Sequence, residues 1–232
     1  MPLLSQIKFI SNSFIDIIYP NNCVICDTHL LHNENYLCLT CSYDLPYINQ
    51  SKHTIESLQK LFWGRVNVEK VYALLNYQKG NQTQRILHLL KYKDKTKLAG
   101  HFGEKLGYTI KNKASFDFLI PVPLHPKKLK IRGYNQSTVI ARGIQKILAV
   151  KINEQVLRRN SFNKSQTNFS KFDRWGNVNS IFSVVKPKLL INKHILLIDD
   201  VLTTGATLEA CVQEILKVRG CKVSVAVLAA RV

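Results

Sequence analysis

The sequence predicts an α/β fold, a parallel sheet flanked by helices, with a small metal-held module at its N-terminal end. Three observations carry that expectation. Short continuous apolar runs at Val71 to Tyr77, Phe116 to Val122, Ile195 to Ile198 and Lys222 to Ala229 suit strands buried on both faces of a parallel sheet. Apolar residues at helical spacing separate those runs, as in Ile140, Ile144, Ile147 and Leu148, or Leu208, Cys211, Val212, Ile215 and Leu216. Two pairs of cysteines crowd the first quarter of the chain, in a segment too short to bury a core of its own.

Residues 1–20 place Leu3, Leu4, Ile7, Ile10, Phe14, Ile17 and Ile18 on an apolar stripe interrupted by Lys8 and Asp16. No small-residue cleavage site follows, so the stripe reads as an amphipathic helix that packs on the domain or a partner rather than as a leader. A membrane-surface helix is the alternative. No run of about 18 apolar residues is present, so no transmembrane helix is expected and the cytoplasm is the default location.

Residues 21–47 hold Cys23, Cys26, Cys38 and Cys41, two C-x-x-C knuckles. Each knuckle sets two thiolates at neighbouring corners of a tetrahedron and the pair closes the shell, which suits structural Zn²⁺. Disulfides are disfavoured without a secretory leader. His29 and His32, in the linker between the knuckles, are substitute ligands or exposed side chains. Residues 48–69 are polar and weakly patterned, and read as a linker with a short helix.

Residues 70–232 form the α/β domain. The strand Val71 to Tyr77 ends at a Gly80-Asn81 turn, and a helix opens with Ile86, Leu87, Leu89 and Leu90. Lys91, Lys93, Lys95 and Lys97 then alternate with other residues, a solvated face or a phosphate-contacting ridge. Pro121 and Pro123 mark the exit of the second strand from the sheet. After it, His125-Pro126 leads into a basic loop carrying Lys127, Lys128, Lys130 and Arg132 that turns at Gly133, and a helix begins near Ser137. The whole chain has 33 Lys and Arg against 15 Asp and Glu, a formal charge of +18. That excess points to polyanionic partners, nucleic acid first.

The densest chemistry lies in Ile195 to Thr207, ILLIDDVLTTGAT. A buried strand runs into the carboxylates Asp199 and Asp200, and Thr203, Thr204, Gly205, Ala206 and Thr207 lead into a helix. Unpaired amides, the positive end of the helix dipole and threonine hydroxyls suit a phosphate monoester. Paired carboxylates suit vicinal ribose hydroxyls, directly or through a hard divalent cation. Together they describe a ribose 5-phosphate, bound where α/β sheets bind ligands, beyond the carboxyl ends of the strands. The Gly-Lys-Ser/Thr ending of a Walker loop is absent, which disfavours a nucleoside triphosphatase. Cys211 and Cys221, outside the knuckles, read as buried thiols.

ILLIDDVLTTGAT resembles the 5-phosphoribosyl 1-pyrophosphate (PRPP) motif of type I phosphoribosyltransferases. With PVPLH, K-K-x-K-x-R-G-Y-N-Q and the upstream knuckles, the chain resembles the ComF family, including competence proteins of the ComFC type, over nearly its whole length. The stretch from Arg158-Arg159 through Ser165-Gln166-Thr167 and Phe172 to Arg174 and Asn177 matches that family's region less closely. The resemblance implies a type I phosphoribosyltransferase-like sheet. It implies PRPP held with Mg²⁺ by Asp199 and Asp200, its 5-phosphate in the loop Thr203 to Thr207, and its pyrophosphate facing Pro123, Leu124, Lys127, Arg132 and Tyr134. The run 160–171 with Gly176 is compatible with a closing loop. The family's role implies natural transformation, with single-stranded DNA and other competence or recombination proteins as partners. Alternatives are a metabolic nucleobase phosphoribosyltransferase, or a catalytically silent DNA-binding factor regulated by PRPP. No residue reads as a general base, and the acceptor is not legible.

Overall fold

The computed structural model describes residues 21–160 and 181–231. The expected helix at 1–20, and the run 161–180 with Ser165, Gln166, Thr167, Arg174, Gly176 and Asn177, lie outside the described residues. The chain divides into two compact units at Pro46 and Tyr47.

In the first unit, helix α1 (Leu39–Tyr43) follows two turns. The turns are tight because Asp27 and Tyr36 take left-handed backbone conformations, with φ of 64° and 65°. The Glu34 carboxylate accepts hydrogen bonds from the amides of Leu31 (2.8 Å) and Leu39 (2.6 Å), folding the linker between the knuckles back on itself. Cys23, Leu30, Leu37, Cys41 and Leu45 are buried, a small apolar set.

The second unit is built on a four-stranded sheet. Its strands are β1 (Val71–Asn76), β2 (Phe118–Pro121), β5 (His194–Leu202) and β6 (Lys222–Ala230). They run parallel in the order β1-β6-β5-β2. β3 (Leu157–Arg159) and β4 (Phe182–Val184) form a separate antiparallel pair. The helices are α2 (Lys52–Lys60), α3 (Gln82–Leu89), α4 (Thr96–Ile110), α5 (Pro126–Arg132), α6 (Gln136–Leu148) and α7 (Ala206–Leu216).

Both faces of the sheet are covered, which is why the strands read as unbroken apolar runs rather than alternating ones. On one face Val71, Ala73, Ile120, Ile195, Leu197, Val223 and Val225 pack in a single cluster with Leu58 and Phe62, with Leu208, Cys211, Val212 and Ile215 of α7, and with Leu157 and Phe182 of the β3–β4 pair. On the other, α4 and α6 pack against the sheet, burying Leu98, Phe102, Leu106, Ile140 and Ile144. Each such side chain contributes about 1.5–3 kcal/mol by leaving water.

Residues 48–69 contain the expected short helix, α2, and are more than a linker. α2 is capped by Ser51, and Leu58 and Phe62 are 2% and 1% exposed in the core. Ile48 and Val68 at its ends join the same core cluster, and the segment reads as polar because these four buried apolar positions are spread thinly among polar ones. The basic segment after β2 also departs from the expected loop and forms α5. The His125 side chain accepts from the Lys127 amide at 3.2 Å, Pro126 supplies the first turn, and Gly133 ends the helix in a left-handed conformation. None of its side chains is buried, so its apolar spacing gives no helical signal.

α4 and α6 approach closely because glycines face each other. A Cβ on Gly143 would sit 2.3 Å from the Gly100 carbonyl oxygen, and one on Gly103 2.3 Å from that of Ile140. Gly143→Ala is therefore expected to cost about 1–3 kcal/mol through overpacking. Gly100→Ala, whose Cβ meets nothing within 4 Å, should be neutral or stabilise by about 0.5–1 kcal/mol through helix propensity. Urea midpoints of the two variants test the contrast, and equal midpoints would refute close helix packing.

Candidate functional site

The site lies at the carboxyl edge of the sheet. α6, which follows β2, and α7, which follows β5, pack on opposite faces, so the edge between β2 and β5 is a topological switch point, where α/β sheets open a crevice. Residues 199–207 and 121–136 leave the sheet at this edge.

Asp199 and Asp200 are the half-buried sixth and seventh residues of β5. Strand alternation sends their side chains to opposite faces, and different cations act on them. Asp199 Oδ1 accepts from the Ser137 hydroxyl at 3.0 Å and from the Asp200 amide at 2.9 Å. Burial, and then the neighbouring Asp200 charge, push Asp199 up to about 7, against the pull of these hydrogen bonds and of Arg159. Burial also raises Asp200, opposed first by Arg132 and further by Lys91. Two carboxylates so placed gain from a cation or a hydrogen-bond donor brought to them by a ligand.

The loop beyond them is shaped by Gly205, whose φ of 80° is left-handed. Gly205 is buried, while Thr203, Thr204, Ala206 and Thr207 are exposed. No side chain caps α7, so its first amides are free of side-chain partners, and Thr203, Thr204 and Thr207 present hydroxyls around them. Phe62 lies beneath the turn, 3.5 Å from where a Gly205 Cβ would be. Arg65 pairs with Glu209 in the first turn of α7 at 2.7 Å. The 48–69 segment thus buttresses the loop from behind, which its sequence gave no reason to expect.

Across the crevice, Pro123 and Leu124 are half-buried as the chain leaves β2. Asn135 Nδ2 donates to the Val122 carbonyl at 2.9 Å and its Oδ1 accepts from the Ser137 amide at 3.2 Å, tying the start of α6 to the end of β2. Lys127 is exposed at the start of α5 and Arg132 half-buried at its end. The Tyr134 hydroxyl donates to the carbonyls of Leu90 and Tyr92, so this ring positions the turn. Ser137, Arg159 and Lys91 join the acidic pair although no motif spacing singled them out as site residues. Their signal is long-range, since 62 positions separate Ser137 from Asp199.

In the other unit the sulfurs of Cys23, Cys26, Cys38 and Cys41 all lie within 4.8 Å of one another, with Cys26 and Cys38 at 3.6 Å. Four thiolates about 2.3 Å from one Zn²⁺ would stand about 3.8 Å apart, so the arrangement fits a tetrahedral metal. The Thr28 hydroxyl and amide draw Cys26 down to about 6, which favours a thiolate, the ligating form. Cys38 also caps α1, accepting from the Cys41 amide at 3.4 Å. His29 and His32 are exposed and outside the sulfur cluster. Cys211 and Cys221 are buried, at 0% and 8% exposure. No helix among the described residues is long and apolar enough to cross a membrane.

Residues 135–232 match the phosphoribosyl transferase domain family. The chain is 32% identical over 91 residues to Competence protein F of Haemophilus influenzae (strain ATCC 51907 / DSM 11121 / KW20 / Rd). That match covers 39% of this chain and spans 40% of the relative. Among solved structures, the glutamine PRPP amidotransferase from B. subtilis complexed with ADP and GMP is 18% identical, with a TM-score of 0.43 over 57% of this chain and 26% of that one. The purine phosphoribosyltransferase from Pyrococcus horikoshii Ot3 is 19% identical, with a TM-score of 0.35 over 56% of this chain and 72% of that one.

Two measurements follow from this geometry. Purified protein should carry about one zinc per chain, and Cys38→Ser should lose it and destabilise the small unit, read by metal analysis and proteolysis of residues 21–46. A full-occupancy Cys38→Ser protein would refute the four-sulfur site. For Asp199, the folded protein keeps a proton up to about pH 7 that the unfolded chain releases near 3.8. The stability this proton contributes is present below the lower value and lost as pH rises through the upper one. Asp199→Asn, free of that loss, should be more stable than wild type by about 1–3 kcal/mol at about pH 8, with the difference shrinking as pH falls and nearly gone below about pH 4. A pH-independent difference in melting would refute the raised carboxyl.

Proposed function

We propose that this chain, a ComF-type protein with a phosphoribosyltransferase fold and an N-terminal four-cysteine module, binds PRPP with Mg²⁺ at the carboxyl edge of β5. The observation that carries the reading is the juxtaposition of the Asp199–Asp200 pair with the side-chain-uncapped N-terminus of α7, turned by a left-handed Gly205. The 5-phosphate sits on the amides and hydroxyls of Thr203 to Thr207, with Gly205 and Ala206 allowing close backbone approach. Asp199 and Asp200 take the ribose hydroxyls, directly or through Mg²⁺, and Ser137 holds Asp199 in place. Pro123, Leu124, Lys127 and Arg132 face the pyrophosphate, with Tyr134 fixing their turn.

Bound Mg²⁺ supplies positive charge for the pyrophosphate as a leaving group. If an acceptor is admitted, its nucleophile bonds to ribose C1 as the C1–oxygen bond breaks and the electron pair leaves with pyrophosphate. The chain's own contribution is orientation: β5 and α7 fix the two ends of the ribose phosphate, and the cations beyond β2 fix the third group. The biological setting we propose is natural transformation, with handling of incoming single-stranded DNA. The charge of +18 and the similarity to Competence protein F support it.

Thermal unfolding with and without PRPP and Mg²⁺ tests the pocket. Ligand at about a hundred times its dissociation constant should add about 2.7 kcal/mol, roughly 5–10 °C for a chain of this size. The Asp199→Asn, Asp200→Asn double variant should not respond. Absence of a wild-type shift under saturating ligand would remove the PRPP reading.

A further inference from the structure

Two lysine-rich stretches far apart in sequence form one surface. The Tyr134 hydroxyl binds the carbonyls of Leu90 and Tyr92, and the Lys93 side chain lies against Gly133, its Cδ 3.2 Å from where a Cβ would be. The turn after α5 is thereby fastened to the segment after α3. Lys91, Lys93, Lys127, Lys128 and Lys130 are exposed and Arg132 half-buried. No ion pair among the described residues includes any of the six, although acidic partners are found for Lys52, Arg65, Arg142, Lys146, Lys193 and Lys217. Like charges gathered without a carboxylate in ion-pair contact repel one another and attract a polyanion.

The ridge also offers rings. Tyr92 is 51% exposed and meets His88 edge-to-face at 5.4 Å, and Ile131 is 85% exposed on the neighbouring helix. Cations for a backbone beside an exposed aromatic ring for bases are the elements of a single-strand platform. A duplex, whose bases are already stacked, uses only the cations.

We infer that this ridge binds single-stranded nucleic acid, and that PRPP with Mg²⁺ antagonises that binding because both anions draw on the same cations. The antagonism rests on the reading of the β5 edge as a PRPP site. The ridge runs into that edge: Arg132 and Lys91 both act on Asp200, and Arg132 directly precedes the Gly133–Tyr134 turn. A pyrophosphate seated there neutralises cations that the nucleic acid would otherwise hold. The two ligands then weaken each other by one common factor.

Fluorescence anisotropy of a labelled oligothymidylate of about 20 nucleotides, titrated with the full-length zinc-loaded protein, tests both parts. In the Lys93→Ala, Lys128→Ala, Lys130→Ala protein the affinity should fall roughly tenfold or more, and the salt slope should drop by up to about three. Its PRPP-induced thermal shift should remain. PRPP with Mg²⁺ should weaken the wild-type affinity severalfold. A triple variant that binds like wild type overturns the ridge, and a duplex of equal length bound as tightly overturns the single-strand assignment. PRPP that shifts melting fully yet leaves the oligonucleotide in place overturns the antagonism. If the triple variant loses the oligonucleotide while neither protein responds to PRPP, the pocket reading and the antagonism fall together and the ridge stands.

Discussion

The second unit depends on the burial of β5 on both faces. Ile195 to Ile198 are fully buried, paired on one side with β2 and on the other with β6. A strand so placed is apolar where it is covered on both faces, and it turns polar where β2 stops opposite Ile198 while β6 pairs on to Leu202. The first polar side chains, Asp199 and Asp200, therefore emerge at the carboxyl edge. They emerge beside α6 and α7, whose N-terminal ends lie at the same edge because α7 directly follows β5 and α6 follows β2 after the short α5. The site is a consequence of the layering rather than an addition to it.

That placement has an energetic cost that the fold keeps rather than relieves. Burial and mutual repulsion raise both carboxyls, and the compensation is incomplete: a hydroxyl from Ser137 and an amide for Asp199, with Arg159, Arg132 and Lys91 acting from the surroundings. A protein selected only for stability would carry amides or apolar residues here. The glycine contact between α4 and α6, the Phe62 packing beneath Gly205 and the Arg65–Glu209 pair hold the elements around this edge in position while it stays electrostatically unsatisfied. A cation or hydrogen-bond donor brought to the pair would offset that cost.

The cysteine unit solves a different physical problem. With few buried apolar side chains, residues 21–46 lack the area to offset chain entropy. Four sulfurs gathered within 4.8 Å suit the alternative, a metal whose coordination would replace a core. Backbone hydrogen bonds such as Val24 to Tyr36 and Cys23 to Thr28 then fix the knuckles around that point.

Much of this was legible in the sequence, because the signals concerned are local. Apolar runs bounded by turn residues marked three of the four sheet strands to within two residues and the buried part of β5, which runs on to Leu202, and cysteine spacing marked the sulfur cluster. The order acid, threonine, glycine, threonine marked the loop, since strand, turn and helix cap are each set by neighbouring residues. Three features belong to the tertiary structure alone. The 48–69 segment looked like a linker because its anchors, Ile48, Leu58, Phe62 and Val68, are few and widely spaced, and their partners lie in α7 and the sheet. α5 looked like a loop because it buries nothing, leaving the capping residues as its only signature. The setting of the acidic pair, with Ser137, Arg159, Arg132 and Lys91 around it, was decided by strand order and helix crossover. Sequence fixes which groups can bind a phosphate or a metal; only the packing of distant segments decides which groups share a site, because those contacts carry no period and no spacing along the chain.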